Sequence, residues 1–186
     1  QIGAMLGSIF GTNMKDGSIG KISEDRFARA DLEHILLCVD DDMQMDALRK
    51  TNYVKSIVTA QGKMDLERKR TQSYQGWMYA RLLAFSNGDL QALYDRSDGF
   101  YRRQLVLATK GKPAGRVDDP DLSEKLKSES EGIFLWAFAG LRRLVANNFK
   151  FTESDRIKEN REAVKRDSNN IFSFLESDGY IQLKAD

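Results

Sequence analysis

The sequence predicts an α/β fold with a parallel-sheet core over residues 1–112 and a helical subdomain over 113–186. Three observations predict it. Ile35-Leu36-Leu37-Cys38-Val39 is an unbroken apolar run ending at Asp40-Asp41-Asp42. Such a run suits a strand buried on both faces, as in a parallel sheet. Met78 to Phe85 is a second apolar run, ending in Ser86-Asn87-Gly88-Asp89. Beyond Gly111, Pro113, Gly115 and Pro120, the chain changes to helical periodicity.

The elements follow in order. Residues 1–10 read as an apolar helix in which Gly3, Ala4, Gly7 and Ser8 permit close packing, and Gly11 to Gly20 as a glycine-rich connection. Ser23 to Ala30 reads as one short helix with Ser23 at its N-cap. The acid-tipped strand is next. Asp46 to Ala60 carries an intermittent apolar face at Leu48, Val54, Ile57 and Val58, which predicts a helix. Lys63 to Gln75 is polar and basic, with Arg68-Lys69-Arg70 at its centre. A third strand is expected within Phe100 to Ala108, over 103–108, beside the strands at 35–39 and 81–85. Leu122 to Ser128 predicts a short helix. Gly132 to Val145 predicts a core helix, with the Trp136 and Phe138 stripe packed inside. From Thr152 a charged helix has acids early and Lys165-Arg166 late, as the helix dipole favours.

Composition narrows the function classes. The chain is 41% hydrophobic and 31% charged, as ordinary globular proteins are, and its net charge of +1 leaves any basic surface local. One cysteine excludes an intrachain disulfide and fits a reducing compartment. With a single histidine, His34, a structural zinc site has too few ligands. No apolar stretch approaches the roughly 20 residues that span a bilayer, so no membrane association is expected.

Carboxylates at the C-terminal edge of a buried parallel strand lie where open α/β sheets bind ligands. Mg²⁺ takes one or two carboxylates together with water and phosphate oxygens. The strand therefore has the form of a Walker B strand. Four segments extend this pattern in order: Phe27 to Leu32 with Leu36 to Asp42, Leu82 to Asn87, Asp98 to Leu107, and Asp119 to Leu126 with Gly132 to Leu144. In these the chain resembles the superfamily-three helicases, specifically the C-terminal ATPase of phage and plasmid primase-helicases of the poxvirus and satellite-phage type.

The resemblance implies an AAA+-like core and part of an ATP-dependent replicative helicase. Its ring, expected to be a hexamer, would bind single-stranded or forked DNA and unwind DNA in the cytoplasm of a bacterial host. ATP and Mg²⁺ are the implied cofactors. The catalytic acids would be Asp40 and Asp41 or Asp41 and Asp42, with Asp40 and Asp41 as metal ligands. Asp41 and Asn87 would contact the nucleotide, Asn87 as the polar sensor. Arg102 would be the arginine finger, with Arg103 its alternate. Lys63, Arg68, Lys69 and Arg70 lie where the family carries a phosphate-sensing arginine and a DNA-gripping hairpin, and Tyr74 could stack on bases.

One departure bears on activity. The Gly-Lys-Ser/Thr phosphate loop is absent, since Gly3, Gly7, Gly11, Gly17 and Gly20 form no such pattern. The resemblance implies a chain beginning just after that loop, unable by itself to hydrolyse ATP efficiently. A non-catalytic DNA-binding or protein-interaction module is the alternative reading.

Overall fold

A computed structural model describes residues 1–43, 48–59, 62–87, 97–167 and 174. Its centre is a three-stranded parallel sheet in the order β1-β2-β5. β1 is Met14–Asp16, β2 is Leu37–Asp40 and β5 is Arg81–Ala84. All four residues of β2 are buried, as the apolar run requires of a central strand. Leu37 to Asp40 pairs with Arg81 to Ala84 on one side, and Leu37 to Val39 with Met14 to Asp16 on the other.

The sheet's third member differs from the sequence expectation. It is β1, inside the stretch read as a glycine-rich connection, and residues 103–108 form no strand. β1 has three residues, too few for a period-two pattern to stand out. In the 103–108 segment the Val106 carbonyl accepts from the Asn160 side-chain amide at 3.2 Å, while Leu105 and Leu107 are exposed. That carbonyl is thus satisfied from a distant helix rather than by a ladder.

Helices flank the sheet. α1 is Ile2–Phe10, followed by a 3₁₀ turn at Gly11–Asn13. The single helix expected from Ser23 is two, α2 Ile19–Glu24 and α3 Arg26–Ala30. Ser18 caps the first, its hydroxyl accepting from Lys21 N, and Asp25 caps the second, accepting from Phe27 N at 2.8 Å. Ser23 is instead buried, donating to the Gly20 carbonyl at 2.7 Å. α4 is Asn52–Thr59, shorter than expected; residues 46, 47 and 60 of that expectation lie outside the described residues.

β3 (Lys63–Leu66) and β4 (Tyr74–Trp77) form an antiparallel hairpin across the basic segment. Alternation decides its inner face: Leu66 and Gly76 are buried, Met64 and Tyr74 half-buried. A side chain at Gly76 would collide with Leu66 Cδ1, so glycine is required there. Glu33 fastens the hairpin to the core. Its carboxylate accepts from the Tyr74 hydroxyl and from Arg68 at 3.1 Å, and Arg68 also donates to the Ala30 carbonyl at 3.2 Å. The Tyr74 hydroxyl, followed by the Arg68 guanidinium, holds the Glu33 carboxyl below the usual carboxylate range against the opposing effect of burial.

The remaining helices are α5 (Asp98–Tyr101), α6 (Leu122–Ser128), α7 (Ser130–Ala146) and α8 (Asp155–Asp167). Val164 of α8 joins Ile19, Phe100 and Tyr101 in one core cluster, and Lys165 pairs with Asp98. A second cluster, around Ala30, Cys38, Ile57, Leu66 and Met78, lies between sheet, α4 and hairpin. Contrary to the core reading of its apolar stretch, α7 has no buried residue: Trp136 is 74% and Phe138 49% exposed. Among the described residues no helix is long and apolar enough to cross a membrane.

Two outcomes follow. Cys38 is fully buried, and burial pushes its thiol up to about 11. Its labelling by an aromatic disulfide at pH 8 is expected to be at least about 100-fold slower in native than in denatured protein; equal rates would contradict the β2 assignment. Glu33→Gln is expected to cost about 1–3 kcal/mol in urea unfolding at neutral pH. The Glu33 carboxyl is depressed on folding, so its contribution is present above the unfolded carboxylate range and lost as pH falls through the folded value. The difference between wild type and Glu33→Gln therefore narrows below roughly pH 4; a gap independent of pH would contradict it.

Candidate functional site

The three parallel strands all end at one sheet edge, and the acids stand there. Asp40 is the last residue of β2, paired in register with Ala84. Two backbone bonds pin the turn that follows: Phe85 N donates to the Asp40 carbonyl at 2.8 Å, and Met43 N donates to the Phe85 carbonyl at 3.0 Å. Met43 is buried beneath, leaving Asp41 and Asp42 exposed.

The acids differ in environment. Asp40 is 8% exposed, and its Oδ2 accepts from Ile19 N at 2.8 Å. It satisfies an otherwise unpaired donor in the first turn of α2, so one of its oxygens is already committed. Asp41 faces α1. A Cβ on buried Gly3 would lie 3.4 Å from Asp41 Oδ1 and 3.9 Å from Val39 Cγ1. The bare glycine thus lets the first turn of α1 approach the acid tip. Its backbone N–H groups carry the positive end of the helix dipole, which favours anionic groups beside it. Among the described residues no three His, Cys, Asp or Glu side chains cluster as a cation site. A Mg²⁺ ion held by one or two carboxylates and phosphate oxygens needs no such cluster, and the carboxylates at this tip fit that donor set.

Asn87 is exposed, three residues past β5, on the same sheet edge as the acids. Gly88 and Asp89 of its expected turn lie outside the described residues. Arg102 is exposed at the C-terminus of α5, its backbone N–H donating to the Asp98 carbonyl at 3.0 Å. The Asp98 carboxyl is held below the usual range by Lys165 first, with a smaller contribution from the Arg102 charge. Arg103 turns back on α5 to donate to the Gly99 carbonyl, and its Nε is buried with no partner among the described residues. Neither arginine bonds to Asp40, Asp41 or Asp42 among the described residues.

The hairpin separates the basic residues. Arg68 is held by Glu33, Tyr74 and the Ala30 carbonyl, with 46% of its side chain exposed. Lys69 lies over the Phe27 ring at 5.9 Å, and Arg70 is exposed with φ 63°. Lys63 is exposed at the base of β3, in register with Trp77. Tyr74 is half-buried against the core with its hydroxyl on Glu33, so it also serves to hold the hairpin to the core.

Another set of side chains does present its faces. From Gln75 to Arg81 the odd positions Gln75, Trp77, Tyr79 and Arg81 are exposed, while Gly76, Met78 and Ala80 are buried. Trp77 and Tyr79 are 48% and 55% exposed on one side of an extended segment, with Lys63 opposite Trp77. Reading 78–85 as one apolar run concealed this row; the period-two signal begins at Gln75 and was legible in the sequence.

Comparisons give the fold independent support. The chain is similar to a solved structure described as the apo structure of the NrS-1 C-terminal region (305–718), with TM-score 0.54 and 14% identity over 88% of this chain. The A-form apo structure of the same region matches with TM-score 0.47 and 14% identity over 95% of the chain. The chain spans about two fifths of the length of each, 39%. No curated protein sequence matches it. At this identity the likeness shows a shared mixed α/β fold. A family model described as a family of unknown function, DUF5906, matches residues 2–103. The chain therefore belongs to the DUF5906 family.

Proposed function

We propose that this chain carries the metal edge and sensor side of a nucleotide-hydrolysing site in an AAA+-like, ring-forming DNA helicase of the primase-helicase kind. The observation that carries the reading is the approach of β2's acid tip to the first turn of α1 across Gly3. In a phosphate-loop ATPase the helix after the loop begins at the phosphates and the Walker B acids hold the metal beside them. The adjacency of those two elements here supports the same use.

The residue roles follow from their settings. Asp41, exposed beside the start of α1, holds Mg²⁺ directly or through water. The other oxygen of Asp40 or the neighbouring Asp42 orients the attacking water, the Asp40 bond to Ile19 N fixing the first of these in place. When bound, Mg²⁺ neutralises charge on the phosphate oxygens during transfer. Asn87, on the same edge, donates its carboxamide to a phosphate oxygen. Exposed Arg102 reaches a neighbouring subunit's nucleotide, where a guanidinium stabilises the charge of phosphoryl transfer, and Arg103 is its alternate. A lysine-bearing phosphate loop, which these 186 residues do not include, completes the catalytic set.

The hairpin supplies the DNA side. Lys63, Lys69 and Arg70 offer charge to a phosphate backbone, and Arg68 shapes the loop that presents them. Trp77 and Tyr79 offer ring faces to unpaired bases, a sequence-tolerant contact worth about 1–3 kcal/mol per base. The same row supports a second reading, a single-strand-binding module without nucleotide turnover.

In the protein with its phosphate loop, single-stranded DNA is expected to stimulate ATP hydrolysis. Asp41→Ala and Arg102→Ala are each expected to lower kcat by about 10³-fold or more; full activity in both variants would defeat the proposal. Trp77→Ala with Tyr79→Ala is expected to weaken single-strand affinity by at least about tenfold. If nucleotide leaves that affinity unchanged across a salt titration, the module reading replaces the helicase one.

A further inference from the structure

Among the described residues, α7 gathers a run of exposed large apolar side chains. Its 17 residues include none that is buried, although it touches α1 and α6. Phe134, Phe138, Leu141 and Val145 are each about half exposed, and Leu135 and Trp136 more so. A helix apolar around most of its circumference is ordinarily enclosed, and monomers rarely leave patches of this kind open to water.

Two features of α7 bear on what could cover it. The first is spacing. Residues 134, 138, 141 and 145 recur at intervals of four, three and four, the repeat by which one helix seats against another of similar pattern. Phe134 and Phe138 already stack at 6.4 Å and 21°, forming a continuous ridge. The second is charge. Beside the ridge, Glu131 stands at the N-terminal end and Arg142 near the C-terminal end, both exposed. A second α7 laid antiparallel along the first sets each acidic end against a basic end at both extremities. A parallel partner sets like charge on like.

We infer that α7 is a self-complementary dimerisation helix, pairing antiparallel with α7 of a second copy of this chain about a two-fold axis near its middle. Such a contact is closed and uses one patch on both partners. It is distinct from a head-to-tail ring contact, and it does not rest on the nucleotide reading.

Sedimentation velocity of the 186-residue chain tests it, with circular dichroism as the folding control. The chain of 21.2 kDa is expected to run as a dimer at about 100 µM and to dissociate on dilution. Phe138→Glu is expected to be folded and monomeric. Glu131→Lys and Arg142→Glu, both exposed and beside the apolar ridge, are each expected to weaken the dimer by about tenfold. Combined, they are expected to regain most of the loss. A monomer at about 100 µM would overturn the inference in favour of another occupant. So would association of any stoichiometry that survives Phe138→Glu, and so would charge reversals whose combination brings no recovery.

Discussion

The structure depends on the enclosure of β2. Its four residues are buried on both faces and hydrogen-bonded on both edges, so the strand has no freedom to slip. A one-residue shift would turn Cys38 and Asp40 to the opposite face. Fixing β2 fixes where it ends, and it ends in acids. The Asp40 carboxylate then ties that end to α2 through Ile19 N, while Phe85 N and Met43 N tie it to β5. The exposed carboxylates of Asp41 and Asp42 therefore sit on a rigid support, which is what the proposed metal edge would need.

The hairpin is organised by a different economy. Glu33 gathers a phenol and a guanidinium, so two of the groups that look most available for a ligand, Tyr74 and Arg68, hold the hairpin in place. What this leaves outward is Lys63, Lys69 and Arg70 with the row of Trp77 and Tyr79. Charged and aromatic groups near one another do not all serve one purpose. The hydrogen bonds they already make separate those that support from those that can bind.

Much of the fold was legible in the residues, and the reasons for the failures are physical. β2 and β5 announce themselves through continuous apolar runs, and α1, α6, α7 and α8 through helical periodicity. β1 did not, because three residues at a sheet edge carry too little pattern. The expected strand at 103–108 failed because apolar content was taken for pairing, whereas Leu105 and Leu107 face outward and Val106 is met by Asn160. For α7 the periodicity identified the helix but not its surroundings: apolarity records a need for cover, not what meets it. At the site, the acid tip and Asn87 could be placed on one sheet edge from strand direction alone. The division of labour between Asp40 and Asp41 could not, since it depends on where Ile19 and Gly3 arrive from distant parts of the chain.

The central claim is that the tip of β2 is the metal edge of a nucleotide site. Iron-directed cleavage tests it most directly. Fe²⁺ replaces Mg²⁺ in the protein with its phosphate loop, and ascorbate and peroxide then cut the backbone beside the bound metal. The account predicts ATP-dependent scission at Asp40 to Asp42, with a weaker cut near Asn87. Scission that ignores ATP, or that falls away from these residues, would contradict it.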